Sequence, residues 1–129
     1  MIQRLMRSSL VHMAFGFLLM GGWALFANRG HGLDQAWLPA FVQGAISALL
    51  TGVIKRALEG MDGRIKGAAA FVLPPLVTAS GVLATLLIAH TLVGTPELFA
   101  TIAFPWSFST LYAFVYNAAL VRTRRGAAP

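Results

Sequence analysis

The sequence predicts an all-α integral membrane protein with four transmembrane helices, and three observations carry that prediction. The chain is 57% hydrophobic and only 11% charged, against about 25% charged residues in an ordinary soluble domain. Its apolar residues gather into four runs, at 10–27, 37–54, 68–90 and 98–121, each near the ~20 residues that a helix needs to cross hydrocarbon. Its cations stand at the ends of those runs and mostly on one side. With 129 residues, the chain has room for a single transmembrane domain.

Span one follows Arg4 and Arg7. A secretory signal has an apolar core of about 7–15 residues and a small-residue cleavage site. This run is longer, and Ala24-Leu25-Phe26-Ala27 does not fit such a site, so it reads as a retained span. Lys55, Arg56, Arg64 and Lys66 lie between spans two and three, and Arg122, Arg124 and Arg125 follow span four. Arg29 alone lies in the other connections. Positive charge collects on the cytoplasmic side of a membrane, so both termini are expected there. The expected outer loops, 28–36 and 91–97, are short and make hairpins of spans one and two and of spans three and four. The inner loop, 59–67, is polar, with Gly60 and Gly63 as helix stops.

Span two is the most patterned. Ala40, Gly44, Ala48 and Gly52 recur every four residues, and so do Gln43, Ser47, Thr51 and Lys55. Residues four apart share a helix face. The first set suits close helix packing and the second forms a polar ladder; in lipid, both drive helix association. The face is either packing surface or a polar path through the bundle.

Prolines mark irregularities. Pro74-Pro75 are expected in the first turns of span three, where missing amides cost least, and Pro105 should bend span four. Trp23, Trp37 and Trp106 suit an outer interfacial belt. Laying 46–49 over 108–111 also brings Lys55 onto Asn117 and Ala57-Leu58 onto Ala119-Leu120. Two tandem hairpins related by duplication are one reading of this short match; shared membrane composition is the other.

The same residues narrow the chemistry. Without cysteine, thiolate metal sites and cysteine nucleophiles are impossible. His12, His31 and His90 are scattered, so neither metal nor cofactor is expected, and His90 reads as an interface residue at a helix end. No span interior holds Asp or Glu, which argues against a proton-coupled small exporter. Phe108-Ser109-Thr110 is similar to a triplet of small fluoride channels, but it lies in the last span without their glycine-rich context. Nucleic acid is not an expected partner, because the cations report orientation. The expectation is a non-enzyme.

What remains is the inner rim. Lys55, Arg56 and Asn117, with Arg122, would attract a phosphate, for which arginine offers a bidentate fork; snorkelling cations that only set orientation are the plainer reading. Gln43, Ser47, Thr51 and Ser109 would line the path beyond. Length, four spans with cytoplasmic ends, the paired hairpins and Phe114-Val115-Tyr116-Asn117 with its following arginines resemble the GtrA-like family. Lys55-Arg56 echoes the basic part in span two. That resemblance implies a bacterial inner-membrane protein, moving polyprenyl-phosphate-linked sugars in envelope biosynthesis. Expected partners are membrane lipids and a second copy or another membrane protein; the rival function is a structural subunit docked through Ala40, Gly44, Ala48 and Gly52.

Overall fold

The computed structural model describes the backbone of residues 2–127 and the side chains from Ser9 onward; the side chains of Arg4 and Arg7 lie outside the described residues. Four helices follow one another: α1, Ile2–Ala27; α2, Leu33–Met61; α3, Ala69–Leu92; and α4, Leu98–Ala127. A short 3-10 turn, Arg29–His31, links the first two. All four are long and apolar enough to cross a membrane, and no strand occurs among the described residues.

The helices outrun the apolar runs for a physical reason. At 1.5 Å per residue, the 29 residues of α2 and the 30 of α4 reach about 45 Å, whereas hydrocarbon is only about 30 Å thick. Polar turns, at both ends of α2 and at the C-terminal end of α4, carry the helix beyond the apolar run. Glu59 and Gly60 are therefore helical rather than looped, and the expected stop at Gly60 is absent. The chain turns at Gly63 instead, where φ is +81°, a conformation that suits glycine.

The bundle is built as two hairpins, α1–α2 and α3–α4, with α2 touching every other helix. Its core comes from α2, α3 and α4: Ile54, Leu58, Val82, Leu86, Ile102 and Ala113 pack together. Leu92, Phe99, Leu33 and Leu18 are more than 70% exposed, an exterior suited to lipid rather than water. Because lipid is itself apolar, close packing and hydrogen bonds must hold the helices together.

α1 joins through a glycine seam. A Cβ on Gly21 would stand 2.9 Å from the Ala40 carbonyl oxygen, and one on Gly44 would stand 2.9 Å from that of Phe17. Only hydrogen fits at either position. Further along α1 the seam gives out: every residue from Ser9 to Phe15 is exposed.

α3 and α4 are joined differently, and here the expectation for the double proline needs correcting. Pro74 and Pro75 are the sixth and seventh residues of α3, past its first turn. Their missing amides would have served the carbonyls of Ala70 and Phe71. The Asn117 side chain on α4 donates to both, at 2.9 Å to Ala70 and 3.3 Å to Phe71. One side-chain amide thus replaces two backbone donors.

Candidate functional site

The end of the bundle that holds the α2–α3 connection is the basic end. α4 reaches it with its last turns and is tied there by side chains. The Arg124 Nε donates to Asp62 Oδ1 at 3.0 Å, the Arg125 guanidinium donates to the Gly67 carbonyl at 2.8 Å, and the Tyr116 hydroxyl donates to Glu59 at 2.6 Å. These bonds leave five cations over. Lys55, Arg56, Arg64, Lys66 and Arg122 are all exposed, and no ion pair holds any of them among the described residues. At this end Asp62 is therefore taken up by Arg124, Glu59 is exposed with its bond from Tyr116, and five cations face the surroundings.

Asn117 does not join that rim. It is fully buried, occupied with the two α3 carbonyls, and its Oδ1 has no partner among the described residues. The sequence alignment that set Asn117 beside Lys55 thus pairs a buried seam residue with an exposed cation. Arg122 remains exposed near the helix end.

The polar ladder of α2 divides at its middle. Gln43 is fully buried and its amide nitrogen donates to Ser47 Oγ at 2.8 Å. Its Oε1 lies 2.8 Å from His90 Nε2, and His90 Nδ1 lies 2.8 Å from Thr95 Oγ1. One arrangement of protons satisfies the chain: Nε2 carries the hydrogen and donates to Gln43, while Nδ1 accepts from the Thr95 hydroxyl. Below Ser47 the ladder opens outward, with Thr51 and Lys55 exposed. Ser109 turns to the Trp106 carbonyl of its own helix. Gln43 and Ser47 therefore come together, while Thr51 and Ser109 do not join them.

The small-residue stripe divides in the same way. Ala40 and Gly44 are covered by α1, Ala48 is half-buried, and Gly52 is exposed with nothing within 4 Å of its would-be Cβ. The half of the stripe toward the Arg29 end is thus an internal seam.

Two functional-looking residues escape sequence reasoning. His90 is wholly buried rather than interfacial; its partners come from the Gly94 turn and from α2, 47 residues away. Asn28, also wholly buried, donates to the Ala24 carbonyl and to Thr101 Oγ1 and accepts from the Glu97 amide, all within 2.9 Å. Beside it, His31 and Glu97 are 2.9 Å apart and exposed. An asparagine directly after a helix is a capping signal, but its partners on α4 are visible only in three dimensions. Of the tryptophans, Trp106 departs from the expected belt, donating from its indole to the Ala79 carbonyl across the α3–α4 seam at 3.0 Å. Among the described residues, no three His, Asp or Glu side chains gather to hold a metal.

With this geometry in view, the chain was compared with family models, curated proteins and solved structures. None matches.

The buried chain from Thr95 to Ser47 makes a clear prediction. His90→Phe strands the Gln43 carbonyl in an apolar surround, and a buried orphan acceptor costs about 1–3 kcal/mol. Adding Gln43→Leu should recover part of that loss, as seen in unfolding midpoints of the two variants.

Proposed function

We propose that the chain is a small, non-enzymatic membrane transport protein that seats a phosphate-bearing lipid at its basic end. That end faces the cytoplasm of a bacterial inner membrane, in the manner of the GtrA-like proteins that the sequence resembles. The observation behind this reading is the set of five exposed, unpaired cations beside carboxylates already bonded to Arg124 and Tyr116. Such a rim at the level of the headgroups attracts anionic lipid by about 1 kcal/mol for each Lys or Arg. The substrate class that fits is a lipid-linked phosphate, of the polyprenyl-phosphate-sugar type.

A single chain offers that substrate no open path. The polar groups of the upper ladder satisfy one another, so translocation on this reading takes place at an interface with a second copy or a partner, along the exposed Thr51 and Lys55 side of α2. The same closed ladder favours a second reading, a structural subunit of a larger membrane complex.

Lys55→Gln with Arg56→Gln decides between them. Removing two cations should weaken retention of a phosphorylated polyprenyl lipid by about 30-fold with the thermal midpoint unchanged, read by native mass spectrometry from mild detergent. Unaltered retention would sink the lipid reading and leave the structural one.

A further inference from the structure

The two carboxylates at the basic end are used unequally. Asp62 is neutralised by Arg124 at 3.0 Å. Glu59 is exposed and meets no cation among the described residues, even though Lys55 and Arg56 precede it on the same helix. Its one bond is from the neutral Tyr116 hydroxyl, at 2.6 Å. Tyr116 in turn stacks on Tyr112, with centroids 5.7 Å apart and ring planes 16° apart. An ionised carboxylate has about four acceptor positions, so the tyrosine leaves most of them open. The result is an exposed carboxylate beside a double aromatic wall, one helical turn from an exposed ammonium. Residues four apart on a helix stand about 6 Å apart.

The sign of the surrounding field restricts what this corner can hold. Nine of the ten Lys and Arg residues belong to this end by sequence, so a simple amine is repelled on approach. A group that carries its own phosphate is not: the phosphate meets Lys55 while the ammonium, a short bridge away, meets Glu59 and the tyrosine rings. Carboxylates bind ammonium groups through charge-assisted hydrogen bonds, and aromatic faces add cation–π attraction.

We infer that Glu59, Tyr112 and Tyr116 form the ammonium half of a site for a zwitterionic phosphoethanolamine-type lipid headgroup, with Lys55 as its phosphate half. The inference rests on the proposed lipid reading for the phosphate half only. It places the selectivity of the site in a residue that the basic rim by itself would not need.

The test uses the intact protein in bilayers of equimolar phosphatidylethanolamine and phosphatidylglycerol, with co-purified lipid counted by mass spectrometry. The basic rim favours the anionic phosphatidylglycerol, so the reading is the change in ratio: Glu59→Gln should lower the retained phosphatidylethanolamine relative to phosphatidylglycerol by about tenfold. Lys55→Gln should lower both lipids together. Total retention reports the phosphate half and the ratio reports the ammonium half, so the two readings fail separately. Glu59 is exposed, so its substitution leaves the core untouched; a ratio unchanged by Glu59→Gln overturns the inference. Soluble phosphoethanolamine at the same molar ratio should not displace the lipid, and displacement would overturn the assignment to a membrane headgroup.

Discussion

Replacing Asn117 with leucine is expected to destabilise the bundle by about 2–4 kcal/mol. Interhelical hydrogen bonds in membranes contribute about 0.6 kcal/mol on average and up to about 1.7, which by itself would make this a mild change. The larger part comes from what is left behind. Pro74 and Pro75 cannot donate to the Ala70 and Phe71 carbonyls, so the variant takes the Asn117 donor from one buried and one part-buried acceptor, and a buried acceptor left unpaired costs about 1–3 kcal/mol. The orphan Oδ1 of Asn117 disappears in the same variant and offsets part of the loss. The mechanism has a sharp signature. In a chain carrying Pro74→Ala and Pro75→Ala, backbone amides return to those carbonyls, and Asn117→Leu should then cost less than half as much. Equilibrium unfolding in mixed micelles measures the cycle, and an equal cost in both backgrounds would show that Asn117 acts through something other than the prolines.

The second large effect belongs to the α1–α2 seam. Gly44→Leu drives a side chain into the Phe17 carbonyl and into its ring, already 2.9 and 3.0 Å from a would-be Cβ. A backbone oxygen cannot swing aside, so the helices must part, and overpacking of this kind costs about 1–3 kcal/mol or more. Gly21→Val meets the Ala40 carbonyl in the same way. Gly52→Leu, two stripe positions beyond Gly44, has open space and should stay within about 0.5 kcal/mol. The chain has no cysteine, so spin labels on cysteines introduced at the exposed Leu18 and Phe41 can follow the separation. The distance should widen in the first two variants and hold in the third.

These cases also mark how far the sequence could be read. Four apolar runs and the lopsided cations were enough for the helices and for the basic end, because length and charge act locally. The four-residue repeat identified Gly44 as a place for close approach, but periodicity says which residues share a face and not what stands opposite. It could not tell that α1 covers Gly44 and leaves Gly52 open. Asn117 illustrates the same limit: its role depends on the register of α4 against α3, which brings it to the two carbonyls that prolines deprive. The ladder set Gln43 beside Ser47, but its bond to His90, 47 positions away, has no local signature. The helix ends were misplaced by a few residues because hydropathy follows the hydrocarbon, whereas hydrogen bonding carries a helix beyond it.

The glycine seam has a bearing on how the protein is made. Of the four helices, the one translated earliest, α1, contributes no residue to the central cluster of Ile54, Leu58, Val82, Leu86, Ile102 and Ala113. Its bonds to α4, from Trp23 to the Ala100 carbonyl and from Asn28 to Thr101, can form only after α4 has been synthesised. Until then α1 is held by α2 alone. The α1–α2 contacts can therefore form by backbone proximity before α4 arrives to bond both α3 and the far end of α1. In this order of synthesis α4 acts as the keystone: with α1, α2 and α3 made and α4 not yet in place, the glycine contacts are complete while Trp23 and Asn28 still await Ala100 and Thr101.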